Sequence, residues 1–175
     1  LSLIEGLGPP VYKFARTPGK MRAWFDSVAK AKSRDPRSLT LEDALKRMRI
    51  QNPTLGDELG LFLAEKSTRP AEGGAEGQRQ WRFDPLHRTT SPMPFRTEVF
   101  GSFLKRIPCP TLVVAGEKGY RLPDEEARYS QIPSHQLVEI PNVGHMVHWF
   151  EAPALADAWL SFVTQSTSGM EPPTS

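Results

Sequence analysis

One short apolar run limits the folds that this chain can adopt. Residues 111–115, TLVVA, follow Pro110 and end at Gly116. A continuous apolar run of this length, closed by a proline and a glycine, is typical of a parallel strand covered on both faces of its sheet. Parallel strands need long crossover connections, which are usually helices. The run therefore predicts the α/β class.

The segments around this run alternate between strand and helix signals. Residues 1–4 predict a short buried strand, and residues 136–140 predict another. Residues 123–126, PDEE, predict a helix start because acidic side chains in a first turn complement the helix dipole. Residues 153–164 predict an amphipathic helix. The order strand, helical insertion, strand, helix, strand, helix indicates one end of a doubly wound sheet.

The helical insertion spans residues 11–106. Thr17, which a proline follows, predicts the start of a first helix. Thr40 with Asp43 three residues later predicts a capping box at a second helix. Thr54 predicts the start of a third helix.

The rest of the insertion is less regular. Residues 67–80 are rich in Gly, Ala and Glu without a hydrophobic period, which predicts a loop or flexible insertion. An aromatic cluster and a turn follow, where Arg82, Asp84 and Arg88 either line a pocket or form a surface ion pair. Residues 95–107 predict a further amphipathic helix. Its expected inward side chains are Phe100, Phe103 and Leu104.

Two histidines follow the last predicted strand, and their contexts differ. His145 follows Gly144, whose missing side chain allows a sharp turn that presents the next residue into a cleft. His148 has no such neighbour, and its pattern is typical of a packed or surface histidine. At the other end of the chain, Glu5 ends the first predicted strand, and open α/β sheets place their ligands at the carboxyl ends of strands.

Composition excludes several classes of partner. A net charge of +2 over 175 residues gives no reason to expect nucleic acid or a membrane surface, and no stretch of about 18 apolar residues is present to span a bilayer. Cys109 is the only cysteine, which fits a reducing compartment such as the cytoplasm. We expect no metal and no cofactor.

The order of motifs in the last part of the chain is similar to that of a known family. Residues 107–163 contain an apolar strand, a helix, a second strand, the pair Gly144-His145, and a helix that opens at Glu151-x-Pro153. This order resembles the carboxyl-terminal part of serine hydrolase-like α/β-hydrolases, in which the last catalytic residue is a histidine after the eighth strand. The resemblance implies a partial α/β-hydrolase fold, with three parallel strands at one end of a doubly wound sheet and a helical lid.

The resemblance also implies a domain organisation. The opening residues LSLIEGLGPP resemble the family's sixth strand and the turn into its lid. The expected regions are residues 1–10 and 107–164 as part of the hydrolase core, residues 11–106 as the lid, and residues 165–175 as a disordered tail. Aromatic lid residues would shape an apolar pocket, and the candidates are Trp24, Phe25, Trp81 and Phe83.

The family places its nucleophile on an elbow of G-x-S-x-G type before the acid and the histidine. No such motif, with Ser, Cys or Asp, occurs in this sequence, which also opens without a methionine. The resemblance therefore implies the second half of an enzyme, whose nucleophile (Ser or Asp) and oxyanion hole come from a missing amino-terminal half. We expect this chain alone to lack turnover and to be poorly soluble or self-associated, because its first strand would have an unpaired edge.

The catalytic acid needs a separate argument. Most relatives carry Asp in a G-x-x-D motif after the seventh strand, but Gly119 stands at that position here. Some relatives, the haloalkane dehalogenases among them, carry the carboxylate directly after the sixth strand, where Glu5 stands. Glu5 is the favoured partner of His145, and Glu117 and Asp124 are the alternatives.

Three functions remain open at this point. The first is the carboxyl-terminal portion of an α/β-hydrolase that acts on a small apolar ester-like substrate. The second is a non-catalytic remnant of that fold that binds an apolar small molecule or a partner protein, which the missing Asp at Gly119 favours. The third is a helical interaction module built from residues 11–106, which lacks an obvious apolar groove.

Overall fold

The computed structural model describes residues 1–11, 17–33 and 38–168. Two compact units divide the chain: Leu1–Tyr12 with Phe95–Ser175 form the first, and Lys13–Pro94 form the second. The strands are β1 (Ser2–Ile4), β2 (Thr68–Pro70), β3 (Arg79–Trp81), β4 (Thr111–Gly116) and β5 (His135–Ile140). The helices are α1 (Thr17–Lys32), α2 (Leu41–Gln51), α3 (Asp57–Ser67), α4 (Thr97–Leu104), α5 (Glu125–Tyr129), α6 (Val147–Phe150) and α7 (Ala152–Ser168), with a 3-10 turn at Pro85–Arg88.

The first unit is built on a three-stranded parallel sheet in the order β1-β4-β5. Leu3 pairs with Val113, which in turn pairs with Leu137. Every residue of β4 is buried, as expected of a central parallel strand. The predicted α/β class and the three parallel strands are therefore confirmed.

Side chains of β4 alternate between two apolar clusters. Leu112 and Val114 pack with Val147 and Phe162 on one face of the sheet. Val113 packs with Leu104 on the other face. Because successive side chains of a strand point to opposite faces, one apolar run contributes to both clusters.

β1 is more exposed than its apolar sequence predicts. Its side chains are half-buried or exposed, and Ile4 is 42% exposed. Within the described ranges β1 pairs with β4 alone, so its other edge has no strand beside it. An apolar strand at a sheet edge invites association, and the expected self-association stays a prediction.

Helix α4 lies in the first unit, whereas residues up to 106 were assigned to the helical insertion. Phe100 and Leu104 pack in the same cluster as Val113 of the sheet. The first unit therefore resumes at Phe95 and not at residue 107. Phe103, expected to face inward, is 68% exposed. The apolar face of α4 is thus narrower than its sequence suggests.

Two helix starts in the second unit can be compared with their predicted caps. At α2 the capping box is present, since the Asp43 N–H donates to Thr40 Oγ1 over 3.1 Å and the Thr40 N–H donates to Asp43 Oδ2 over 3.2 Å. The prediction for Thr54 is wrong, because α3 begins at Asp57 after Gly56. Leu55 accounts for the delay: its N–H bonds the Asn52 carbonyl in a turn, and its side chain is buried.

The predicted loop at residues 67–80 contains an antiparallel hairpin, β2 with β3. Buried Thr68 anchors it. The Thr68 hydroxyl donates to the Ala64 carbonyl over 2.7 Å and accepts from Arg79 Nε over 2.7 Å. The paired residues Arg69 and Gln80 are polar, so hydrophobic alternation could not reveal these strands.

Helix α7 continues to Ser168. The prediction of disorder is therefore wrong for residues 165–168, while residues 169–175 lie outside the described residues. The predicted start of α1 at Thr17 agrees with the observed helix, although the residue before it is also outside the described ranges. Of the helices described, none combines the length and the apolar character needed to cross a membrane.

A buried arginine that the sequence did not single out holds the turn after β1. Arg128 of α5 is fully buried, and its Nη1 donates to the carbonyls of Leu7 and Pro9 over 2.7 and 2.9 Å. Its Nε donates to Asp124 Oδ2 over 3.0 Å, and its guanidinium lies 5.2 Å from the ring centre of Phe95. One cation thus connects α5 to the chain segment that follows Glu5.

Replacing Arg128 by Met should lower the free energy of unfolding by about 3 kcal/mol, because one buried carbonyl, one part-buried carbonyl and one carboxylate lose a charged donor. Urea denaturation of the chain measures the change. Arg106→Met is the matched control, since Arg106 is exposed and bonds the Ser102 carbonyl four residues earlier in the chain, and it should change stability by less than about 0.5 kcal/mol. Equal losses for both variants would contradict the role of Arg128.

Candidate active site

The backbone of Glu5 turns sharply at the end of β1. Its N–H still donates to the Val114 carbonyl over 2.9 Å, as the next rung of the parallel ladder. Its φ is +53°, in the left-handed region that residues other than glycine seldom adopt. Such conformations persist where surrounding contacts hold them, often at functional sites. The turn directs the Glu5 side chain toward the end of β4.

The Glu5 carboxylate is bound on both of its oxygens. Oε1 accepts a hydrogen bond from the Gly116 N–H at the end of β4. Oε2 lies 2.8 Å from Nδ1 of His145. The Glu5 side chain is 7% exposed and that of His145 is 57% exposed. The structure therefore brings together two residues that are 140 positions apart, with the acid buried and the imidazole accessible.

The hydrogen bond defines which nitrogen of His145 carries a proton. An ionised carboxylate only accepts hydrogen bonds, so Nδ1 of His145 is the donor. In a neutral imidazole the second nitrogen, Nε2, is then free to accept a proton. This is the arrangement that a general base needs.

The loop that carries His145 lies directly on the backbone of Gly116. A Cβ at Gly116 would come within 2.6 Å of the carbonyl oxygens of both Val143 and Gly144. Two further backbone bonds of 2.9 Å fix the loop, from the Glu117 N–H to the Ile140 carbonyl and from the Lys118 N–H to the Val143 carbonyl. Gly116 is therefore required for the close approach of the two loops.

The expected reason for Gly144 is wrong, although His145 is at the predicted loop. Gly144 does not have a positive φ, and a Cβ there would meet no atom closer than 3.6 Å. Asn142 has the left-handed conformation instead, with φ of +59°. The turn before His145 thus depends on Asn142 and on the missing side chain of Gly116.

The other two candidate acids are engaged elsewhere. Glu117 is exposed, and its Oε2 accepts from the Asn142 N–H over 2.7 Å. Asp124 forms the ion pair with Arg128 described above. Of the three candidate carboxylates, Glu5 is the one that is hydrogen-bonded to His145.

Gly119 explains how the acid can come from β1. A Cβ at Gly119 would lie 2.5 Å from Oε1 and 2.8 Å from Oε2 of Glu5. The Glu5 carboxylate therefore occupies the room that a side chain at the G-x-x-D position would need. The absence of Asp after β4 and the presence of Glu after β1 therefore go together, because the Glu5 carboxylate and a side chain at position 119 cannot occupy the same space.

The remaining predicted site residues make contacts of their own. His148 is exposed and packs edge-on against Trp149, with ring centres 5.7 Å apart. The aromatic lid candidates all belong to the second unit, where Trp24 packs on Phe25 and Trp81 on Phe83. Their contribution to a substrate pocket stays a prediction. Among the residues whose placement is described, no group of three or more His, Cys, Asp and Glu side chains could hold a metal ion.

Sequence comparison does not identify the chain. No family model matches it, and no curated protein sequence matches it.

Solved structures do resemble it. A hypothetical protein of Pseudomonas aeruginosa superposes with a TM-score of 0.72 at 22% identity, over 94% of this chain and 58% of that protein. The thioesterase domain from the curacin biosynthetic pathway gives 0.71 at 24% identity, over 92% and 57%. An esterase of Mycobacterium tuberculosis gives 0.67 at 13% identity, over 94% and 53%.

An alpha/beta hydrolase from Novosphingobium aromaticivorans gives a TM-score of 0.54 at 17% identity, over 90% of this chain and 54% of that protein. The chain thus spans somewhat more than half the length of each of these structures. Identities this low establish a shared fold and not a shared activity. The chain has a partial α/β-hydrolase fold.

Proposed function

We propose that this chain supplies the general base and the acid of an α/β-hydrolase that cleaves an ester or a related bond. The hydrogen bond between His145 and Glu5 carries the proposal. It joins the carboxyl end of β1 to the loop after β5, at the edge of the sheet where α/β folds bind their ligands. A buried acid, an accessible imidazole and a free Nε2 are what proton transfer to and from a substrate requires.

The proposed chemistry assigns one step to each residue. Nε2 of His145 takes the proton of a serine nucleophile and later gives it to the leaving group. With an aspartate nucleophile, His145 instead activates the water that cleaves the covalent ester. Glu5 keeps His145 in the Nδ1–H tautomer and stabilises the imidazolium. The nucleophile and the oxyanion donors come from the part of the fold that this sequence does not contain.

The similar structures support a substrate class. One is named an esterase and another a thioesterase domain, and both names describe hydrolysis of an acyl bond. We propose a small, mainly apolar ester or thioester as the substrate. The second unit, with its aromatic side chains, would act as the lid that excludes water from the reaction.

The non-catalytic alternative loses its main support. It was favoured by the missing Asp after β4, and the carboxylate of Glu5 fills the space that this Asp would need. A chain that had lost its chemistry has no reason to keep a buried carboxylate on an accessible imidazole. The alternative remains as an outcome of the tests below.

The first test uses the product of the coding sequence read in frame upstream of Leu1, which we expect to contain G-x-S-x-G or G-x-D-x-G. Hydrolysis of a short-chain aryl ester is measured for that protein and for the present chain alone, which should be inactive. His145→Ala should lower kcat/KM by at least about 10⁴-fold. His148→Ala, three residues away and also exposed, should stay within about twofold. Equal activity of both variants would contradict the role of His145, and absence of hydrolysis by the longer protein itself would favour the non-catalytic alternative.

A second test moves the acid within the same protein. Glu5→Gly keeps the left-handed backbone but should lower kcat by about 10³-fold or more. Adding Gly119→Asp should recover at least about tenfold, because the new carboxylate enters the vacated space. Recovery is partial, since a Cβ at Gly119 also approaches the Gly116 carbonyl to 2.9 Å.

Two controls accompany this exchange. Gly119→Ala alone should lower kcat, because its methyl group displaces the Glu5 carboxylate. Glu117→Gln should leave kcat within about twofold. If Gly119→Ala is fully active and the double variant is no better than Glu5→Gly, the assignment of Glu5 is wrong.

A further inference from the structure

The second unit contains a cleft of about 700 Å³ whose lining residues all lie between Ser27 and Thr89. The proton transfers assigned to His145 and Glu5 do not use this cleft, although Trp81 and Phe83, two of its lining residues, are also candidates for the substrate pocket. This volume is in the range of clefts that bind small molecules. Five of its thirteen lining residues are basic and one, Asp84, is acidic. The basic residues are Lys30, Arg47, Arg69, Arg82 and Arg88.

The positive charge of this cleft is largely unneutralised. Arg69 lies 3.6 Å from Glu72, whereas no carboxylate in the described part of the chain comes within ion-pair distance of the other four. The Asp84 carboxylate accepts from the Leu86 N–H over 2.8 Å and caps its own 3-10 turn. An ion pair among Arg82, Asp84 and Arg88 is therefore not observed. These residues line a pocket instead.

Two of the cations are held in position. Arg82 Nε donates to the Thr68 carbonyl over 2.8 Å, which leaves its terminal nitrogens for a ligand. The guanidinium of Arg88 lies 5.8 Å from the ring centre of Phe83. Side chains fixed in this way lose less conformational freedom when a ligand binds.

The cleft also has an aromatic wall. The rings of Trp81 and Phe83 are stacked, with centres 5.7 Å apart and planes 29° apart. Phe83 is 38% exposed, so part of this surface is accessible. A ligand that satisfies the cleft therefore combines several negative charges with a flat or apolar portion.

We propose that this cleft binds a phosphorylated small molecule, with its phosphate groups on Arg47, Arg69, Arg82 and Arg88 and its flat or apolar portion against Trp81 and Phe83. Planar guanidinium groups donate paired hydrogen bonds that match phosphate oxygens. A phosphate ester also carries more negative charge in a given volume than a carboxylate does. It therefore matches the cleft better, because the lining has four more basic than acidic residues. The proposal does not depend on the His145–Glu5 pair, because every lining residue belongs to the second unit.

Equilibrium dialysis of radiolabelled ADP against the chain tests the proposal, and it tolerates self-association. ADP is used as a probe that joins two phosphates to a flat ring. Unlabelled pyrophosphate should compete, adenosine alone should compete at least tenfold less well, and citrate should compete less well than pyrophosphate. ADP binding should weaken between about 50 and 200 mM salt, because salt screens exposed charges.

The decisive comparison uses two double variants with the same change of net charge. Arg47→Gln with Arg88→Gln removes two cations from the cleft and should raise the Kd for ADP at least tenfold. Lys46→Gln with Arg22→Gln removes two exposed cations of α2 and α1 that do not line it. That control should change the Kd by less than about twofold.

Three outcomes would overturn the proposal. Absence of saturable ADP and pyrophosphate binding would remove it. Equal weakening in both double variants would show attraction to net charge rather than a built site. Citrate that competes as well as pyrophosphate would identify the cleft as a site for carboxylates.

Discussion

The carboxylate of Glu5 connects every part of the candidate site. One oxygen accepts from the Gly116 backbone at the end of β4, and the other lies on His145 in the loop after β5. Because this carboxylate is buried, the loss of either hydrogen-bond partner would lower the free energy of unfolding. The left-handed backbone at Glu5 directs the carboxylate toward these partners, and Arg128 holds the turn that follows through the carbonyls of Leu7 and Pro9. Fold and proposed chemistry thus depend on the same few hydrogen bonds.

The sequence predicted those features that local patterns encode. The apolar run of β4 indicated a doubly covered strand, and the two flanking strands had similar signals. The carboxyl ends of parallel strands meet at one edge of the sheet, which placed Glu5 at the edge where ligands bind, and the resemblance to α/β-hydrolases implied that Glu5 pairs with His145. The absence of Asp at Gly119 was visible in the sequence as well, but the Glu5 carboxylate in its place was not.

Other features depend on contacts between distant polar groups, which no periodicity reveals. Arg128 looks like an ordinary basic residue at the end of a short helix, yet it is fully buried against the turn after β1. The β2–β3 hairpin pairs polar residues around Thr68 and so resembled a loop. The same hairpin places Arg69 and Arg82 in a basic cleft. The roles of such residues can be recognised only from the folded structure, because their partners are distant in the sequence.

The protonation of His145 tests the central claim most directly. Solid-state ¹⁵N NMR of histidine-labelled chain, with the His145 signals identified by difference from a His145→Gln variant, does not require a soluble monomer. At alkaline pH we predict a neutral His145 in the Nδ1–H tautomer, with Nε2 unprotonated, and loss of this preference in Glu5→Gly. A proton on Nε2 in the unmodified chain, or a tautomer that Glu5→Gly leaves unchanged, would contradict the account.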